Sequence, residues 1–330
     1  MRTKHFVLPL IVLLLALTGS IALGGVAGSP AEVFTALIRH DHSTLSQVLW
    51  NIRLPRVLLA MLVGAGLSLA GALMQTMFRN PLADPAILGI SSGSALGLVM
   101  ALLAGLEFGS ISASFCAVLG GLFAIAIISG VTRRKGAVSA DTSTAGFVLV
   151  GVALNAFIAG ALGILLSATS NPQARSISFW TLGTISLATW KGLTSVALFF
   201  VAGLIVISLV RTKANLLALD DYEIRILGAN PSKLRFTLAI GSAILVASAT
   251  SIVGVISFVG LITPYAIRLV VGPNVKLLLP IAALWGSILV LISDTLARTL
   301  IHSMEIPIGT ILALIGSPIF VWVLVKRVRA

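Results

Sequence analysis

The fold of this chain is decided by residues 53–97, RLPRVLLAMLVGAGLSLAGALMQTMFRNPLADPAILGISSGSALG. An apolar run of membrane-spanning length, Val57–Met77, follows two arginines and ends in a polar loop with two prolines, Arg79–Pro85. A second apolar run begins directly after this loop. Lipid offers no hydrogen-bonding partner to an irregular backbone, so the loop must lie at a membrane interface or in a cavity lined by protein. The stretch therefore predicts a helical hairpin in a membrane.

The composition of the whole chain supports a membrane location. Of its 330 residues, 58% are hydrophobic and 10% are charged, and the mean hydropathy is +1.11. These values exclude an ordinary soluble domain. The net charge of +12 indicates basic loops that face anionic lipid rather than a nucleic-acid surface.

Apolar windows recur along the chain and predict one transmembrane domain over residues 1–330, of the all-α polytopic class. About 20 apolar residues are enough to cross a bilayer, and this criterion yields about ten helices. The predicted spans are His5–Gly24, Val57–Met77, Ser91–Leu106, Ala113–Val131, Ala145–Leu166, Gly192–Val210, Leu234–Val253, Ser257–Val271, Leu277–Ala297 and Ile306–Val325.

The distribution of basic residues predicts the orientation. With the N-terminus in the cytoplasm, 16 of the 22 lysines and arginines fall in cytoplasmic loops. Positive charge is enriched on that side of membrane proteins, so both termini are expected there. In an alternative interpretation His5–Gly24 is a cleaved signal peptide, which would leave nine spans and invert the loops.

No catalytic motif is present in the sequence. It has no phosphate loop of the G-x-x-x-x-G-K-[ST] type and no H-E-x-x-H or paired Cys-x-x-Cys, so we expect no enzyme activity, resident cofactor or metal site. Transporters driven by ion gradients usually carry ionisable residues within their spans. Here the closest case is Asp294, with Arg298 at the i,i+4 position of an ion pair. Since the centres of the spans have almost no ionisable residues, a transporter built from this chain is expected to take its energy from another subunit.

The longest predicted cytoplasmic loop, 214–235, favours contact with another protein. Leu219–Leu227 predicts a short helix that Gly228 would end. Acidic residues in its first turn suit the helix dipole. A solvated amphipathic connector is the alternative.

Two further segments have competing interpretations. Asp141-Thr142-Ser143-Thr144 is typical of a helix N-cap, which alone would explain it. On the outer side, Arg53, Arg56 and Arg298 mark helix ends. They are either anchors at the membrane interface or a docking surface for an acidic partner.

Several stretches together resemble the FecCD-type permeases, the membrane subunits of ATP-binding-cassette importers for iron–siderophores, haem and vitamin B12. They cover nearly the whole chain in the family's order. The stretches are RLPR at 53–56, GALMQTMFRNPLADPAILGISSG at 71–93, FWTLG at 179–183, SFVGLITPYAIRLVVG at 257–272, LLLP at 277–280, DTLAR at 294–298 and EIPIGTILALIGSPIF at 305–320.

The resemblance implies the type II importer permease fold in a bacterial inner membrane. It implies a second permease copy or a sister permease, two ATPase subunits that hold ATP and Mg²⁺, and a periplasmic or lipid-anchored substrate-binding protein. A ferric siderophore or haem is the expected substrate, and cobalamin is the alternative. A secondary transporter is the alternative from another class.

The resemblance also implies roles for particular residues. Binding-protein docking falls to Arg53, Arg56 and Arg298. The ATPase coupling loop is about 214–233, with Leu219, Asp220, Asp221, Glu223, Leu227 and Gly228. The cytoplasmic gate comprises Asn80, Pro81 and Leu82 together with the loop residues Asp141, Thr142, Ser143 and Thr144.

The chain departs from the family pattern on the side that would face the ATPase. The departures are Asp220, Tyr222 and Ile224 in the coupling loop, Tyr265 in place of a histidine, and Gly272–Lys276 in place of G-x-D-H-R. They predict a divergent match to a particular ATPase.

Overall fold

The computed structural model describes residues 4–23, 29–39, 43–133, 140–168, 180–301 and 305–328. The described part is helical and contains no strand. Seven of its helices have the length and composition to cross a membrane, and three shorter apolar helices bring the number to the predicted ten.

The long helices follow the predicted apolar windows, with ends that shift by a few residues. They are α1 (Lys4–Ala22), α4 (Leu54–Met77), α5 (Ile90–Leu103), α6 (Ile111–Arg133), α7 (Ala140–Ala168), α8 (Trp190–Ser208), α10 (Pro231–Val253), α11 (Val259–Val271), α12 (Val275–Thr299) and α13 (Ile308–Val328). Short helices lie between them: α2 (Pro30–Arg39), α3 (Thr44–Val48) and α9 (Asp221–Ile226).

The region before α4 differs from the prediction, because helical structure begins well ahead of Val57. Helix α2 packs Val33 and Ala36 against Leu49. The sequence prediction missed this helix because its apolar stripe is too short to cross a membrane. A π-helical turn, Leu49–Arg53, then joins α3 to α4, and the Leu54 N–H donates to the Leu49 carbonyl.

Helices α4 and α10 lie at the centre of the bundle and are buried along most of their length, whereas α1 and α7 lie at its edge. Helix α4 packs along α12, α10 and α11. The outer faces carry large exposed apolar side chains such as Leu15, Phe123 and Phe157. This pattern suits a protein whose solvent is lipid.

Glycines bring α4 into backbone contact with two neighbours. A Cβ added to Gly64 would lie 2.2 Å from the Gly286 carbonyl oxygen in α12. A Cβ added to Gly71 would lie 1.8 Å from the Gly260 carbonyl oxygen in α11. Small residues allow this close approach, which is a main source of helix packing in membranes.

We predict that Gly71→Ala lowers the free energy of unfolding by about 1–3 kcal/mol, because the new methyl group must push α11 away from α4. Gly130→Ala in α6 is the matched control, since no atom lies within 4 Å of its added Cβ and alanine favours a helix. Thermal unfolding in one detergent measures both variants. Equal midpoints for Gly71→Ala and the parent protein would contradict the close packing.

Candidate functional site

The predicted site residues lie at opposite ends of the bundle. At one end, α1 and α12 finish and α4 begins, and Arg53, Arg56 and Arg298 lie there. At the other end, α4 finishes and α12 begins, and there lie the Asn80–Leu82 turn and the coupling loop. Helix α4 has 24 residues, which separate the two ends by about 36 Å.

Arg56 forms the centre of a buried ion-pair cluster. Its Nε and Nη2 donate to the Asp294 carboxylate at 2.9–3.1 Å, and its Nη1 donates to Glu305 at 2.9 Å. Arg56 and Asp294 are buried, while the Glu305 side chain is 49% exposed. The fork of the guanidinium thus joins the start of α4, the end of α12 and the segment before α13.

Arg53 and Arg298 hold the end of α1. Arg53 Nη1 donates to the Ile21 carbonyl oxygen at 2.7 Å, and Arg298 donates to the Leu23 carbonyl oxygen at 2.9 Å and to Ser20 Oγ at 2.8 Å. The last turn of α1 has no basic residue of its own. Arginines from α4 and α12 therefore satisfy the carbonyl groups that a helix leaves open at its C-terminus.

The sequence predicted Asp294 and Arg298 as an i,i+4 ion pair, which the structure confirms, and Arg56 is a second and closer partner of Asp294. The closest charged atoms of Asp294 and Arg298 are 3.9 Å apart, whereas Asp294 makes its short contacts with Arg56. Glu305 was not predicted to take part. The partners lie more than 230 residues apart along the chain, so no local spacing could reveal them.

The predicted gate turn is built on the side chains of Asn80 and Asp84. Asn80 Oδ1 accepts from the Leu82 N–H at 3.0 Å, and Asp84 Oδ1 accepts from the Ala86 N–H at 2.7 Å. Such Asx turns, in which a side-chain oxygen accepts from the N–H two residues later, fix the conformation of a loop that has no helix or strand. Leu82 reaches an apolar groove beside Tyr265 of α11 and Phe320 of α13. The turn thereby borders a groove that two membrane helices also line.

Asn155 ties this loop to α7, a role that the sequence did not reveal. Its Nδ2 donates to the carbonyl oxygens of Ala86 and Ile87 at 3.1 and 3.2 Å, and its Oδ1 accepts from Ser92 Oγ at 2.6 Å. A polar residue in an apolar span was the available signal. Asn155 therefore links the middle of α7 to the end of the loop that also contains the predicted gate turn.

The second gate element differs from the prediction. Helix α7 begins at Ala140, so Asp141, Thr142, Ser143 and Thr144 lie inside its first turn rather than in a loop before it. Their side chains lie outside the described residues. An acidic residue in the first turn favours this earlier start through the helix dipole.

The coupling loop forms the predicted short helix, α9. Glu223 accepts from the Asp220 N–H at 3.0 Å in a capping box, Gly228 has a φ of +71°, and Asn230 caps α10. Arg235 donates to both oxygens of Asp221 at 2.5 and 2.8 Å and lowers the pKa of that carboxyl. The acids that the sequence singled out are therefore engaged within the chain.

The exposed side chains of α9 and the residue after it include three large apolar ones beside the charged Glu223 and Arg225. Tyr222 is 76% exposed, Ile226 is 68% exposed and Leu227 is 58% exposed. Ile224 points the other way and is fully buried in the core. Of the departures from the family pattern, Ile224 thus anchors the loop and Tyr222 extends an apolar surface.

The departure at Asn274 also has a structural role. Asn274 caps α12 by accepting from the Lys276 N–H, and it accepts from Asn215 Nδ2 at 3.2 Å. Asn215 Oδ1 in turn accepts from the Val275 N–H at 2.8 Å. These bonds fix the start of the coupling loop to the start of α12.

Comparison with known proteins relates this arrangement to one family. The model described as the FecCD transport family matches residues 11–326. The chain is 37% identical to the hemin transport system permease protein of Yersinia pestis, over 96% of this chain and 94% of that protein. It is 36% identical to the Fe(3+) dicitrate transport system permease protein FecC of Escherichia coli K12, over 91% and 90%.

A solved structure has the same fold over the full length. It is an inward-facing conformation of a metal-chelate type ABC transporter. The TM-score is 0.84 at 30% identity, and the match covers 99% of this chain and 100% of the other.

Burial raises the pKa of Asp84, in the loop between α4 and α5, from 3.8 to about 6. The folded protein binds the proton of this carboxyl more tightly than the unfolded chain does. Protonated Asp84 therefore contributes fully to the free energy of unfolding below about pH 4, and this contribution is lost as the pH rises through 6. We predict that the parent protein loses about 3 kcal/mol of stability across this interval. Asp84→Asn, which can still accept from the Ala86 N–H, should remove that dependence. Thermal unfolding as a function of pH measures it, and parallel profiles for the two proteins would refute the assignment.

Proposed function

The chain belongs to the FecCD transport family, and we propose that it moves an iron chelate, a ferric siderophore or haem, from a substrate-binding protein into the cytoplasm. The observation that carries this proposal is the match over residues 11–326 in a ten-helix fold that aligns with a metal-chelate transporter along its whole length. The chain is a membrane-spanning transport subunit rather than an enzyme.

We infer that two separate ATPase subunits drive the transport. The chain has no phosphate loop of its own, and the coupling loop presents an exposed surface at one end of the bundle. The excess of basic residues at this end favours the cytoplasmic side of a bacterial inner membrane, with both termini there.

The apolar surface of Tyr222, Ile226 and Leu227 is proposed to bind in a pocket of the ATPase. Asp221 is paired with Arg235, and Glu223 accepts from the backbone of Asp220, so these acids are less available to a partner. Aromatic and aliphatic side chains that become buried in a partner's pocket contribute most to binding.

A second permease, either a copy or a sister chain, is proposed to complete the pathway. The Asn80–Leu82 turn and the start of α7 would then face their counterparts across a two-fold axis and form the cytoplasmic gate. Leu82 lines one apolar groove together with residues of α11 and α13, which supports this role because the turn lies beside both helices.

The arginine cluster is proposed to receive the substrate-binding protein. Arg53, Arg56 and Arg298 are largely buried and bonded to groups of this chain. Docking would therefore require an acidic group of the partner to replace an internal one. Of the two carboxylates bound to Arg56, Glu305 is the one that a partner's acid would replace, because its side chain is half exposed whereas Asp294 is buried.

The function is tested by reconstituting the chain in liposomes with its ATPase and its loaded binding protein. We predict uptake of haem or a ferric siderophore, and not of cobalamin, that requires ATP hydrolysis. Ile226→Asp should weaken ATPase retention by at least about tenfold, because a charge would enter an apolar pocket. Ile226→Val is the matched control and should behave as the parent. Uptake driven by an ion gradient without the ATPase would refute the proposal.

Docking is tested with Glu305→Gln. If a partner's carboxylate takes the place of Glu305 on Arg56, removing the competing charge should tighten binding of the binding protein by about three- to fivefold. Glu107→Gln is the control, because Glu107 is an exposed acid at the same end, paired with Lys191. Binding to detergent-solubilised permease at two salt concentrations measures the effect. Unchanged or weaker binding for Glu305→Gln would mean that the arginines serve only the fold.

A further inference from the structure

Arg79 joins the gate turn to the coupling loop. It lies two residues after the end of α4 and directly precedes Asn80, the first residue of the predicted gate. Its Nε donates to the Leu217 carbonyl oxygen at 2.8 Å and its Nη1 donates to Asp220 Oδ1 at 2.9 Å. Its Nη2 donates to the Leu219 carbonyl oxygen and lies 3.8 Å from Asp221. One guanidinium therefore binds the residues that lead into α9.

The backbone at Arg79 has a conformation that normally favours glycine. The Asn80 N–H donates to the Gln75 carbonyl oxygen and the Arg79 N–H donates to the Thr76 carbonyl oxygen, which is the Schellman ending of a helix. Arg79 occupies the left-handed position of this motif with a φ of +49°. A side chain at this position strains the backbone. Contacts with the coupling loop give a reason for an arginine here.

The connection from Arg79 to the gate is short. Arg79 is bonded covalently to Asn80, whose side chain accepts from the Leu82 N–H. The other polar ties of the coupling loop lead elsewhere, since Arg235 fixes α9 to α10 and Asn215 reaches the start of α12. Among the ion pairs of the described residues, those of Arg79 alone join the coupling loop to the gate turn.

We propose that Arg79 is the positioning residue that transmits movement of the coupling loop to the Asn80–Leu82 turn. The proposal rests on the proposed function, in which an ATPase moves this loop. The planar guanidinium of Arg79 donates to three acceptors of the coupling loop and so keeps the loop at a constant distance from the gate turn. The turn therefore moves with the loop when the loop shifts.

Arg79→Gly tests this role without a fold defect, because glycine adopts the left-handed conformation freely. The full complex in liposomes is compared with its parent for ATPase retention, ATP hydrolysis and uptake per ATP. We expect the ATPase to be retained and ATP to be hydrolysed. Uptake per ATP should be largely lost, because hydrolysis would continue while the gate turn no longer follows the coupling loop.

Cross-linking provides a readout of the gate itself. In a Cys116→Ala background, Leu82→Cys should cross-link between two permeases in one nucleotide state and not in the other. Adding Arg79→Gly should remove this dependence on nucleotide, while Arg79→Lys, which keeps the charge but not the fork, should restore part of it. Arg235→Gln should retain the dependence, because its contact does not reach the gate turn.

The outcomes separate the two proposals. If the parent complex neither retains an ATPase nor imports a chelate, the proposed function fails. If the parent complex works and Arg79→Gly keeps its uptake per ATP and its nucleotide-dependent cross-link, the role of Arg79 is overturned. Loss of ATPase retention in Arg79→Gly, or an equal effect of Arg235→Gln, would also overturn it, because Arg79 would then only stabilise the loop.

Discussion

Backbone groups in lipid have no water to bond, and this constraint accounts for several side-chain contacts at the ends of helices and in loops. Asn155 donates to two loop carbonyl groups, Trp180 Nε1 donates to the Ile252 carbonyl oxygen at 3.0 Å, and Gln75 donates to that of Leu261 at 3.0 Å. Arg53 does the same for the end of α1. Each acts near the end of a helix or in a loop, where a carbonyl group would otherwise lack a partner in lipid.

The sequence correctly predicted features that depend on residues close together in the chain, namely most of the helices and several of their ends. Ten apolar windows gave the ten long helices, and Gly228 and Asn230 marked the end of α9 and the start of α10. The helix α2 was missed, because its apolar stripe is too short to cross a membrane. The start of α7 was misplaced, because a helix cap and a first helical turn use the same residue types.

The candidate sites were predicted less completely, since their partners come from distant parts of the chain. The sequence indicated that Arg53, Arg56 and Arg298 belong to one surface, but it could not show that Asp294 and Glu305 fill the fork of Arg56. The resemblance also assigned both acids and leucines of the coupling loop to the contact with an ATPase, and this stays a prediction. The structure pairs Asp221 with Arg235 and exposes Leu227, which the prediction included, together with Tyr222 and Ile226, which it did not. A charge seen in a sequence does not reveal whether it is already neutralised within the chain.

The glycine contacts of α4 have a consequence for motion. With α12 against Gly64 and α11 against Gly71, these three helices approach each other at their backbones, and Ser68, Gln75 and Ser287 form hydrogen bonds across the same contacts. Sliding would require the backbones to separate, so the three helices act as a rigid frame. Conformational cycling must then be carried by the helices around that frame. Substitutions that alter the amplitude of movement should therefore be sought at its edge, where α7 and α13 meet lipid or a partner.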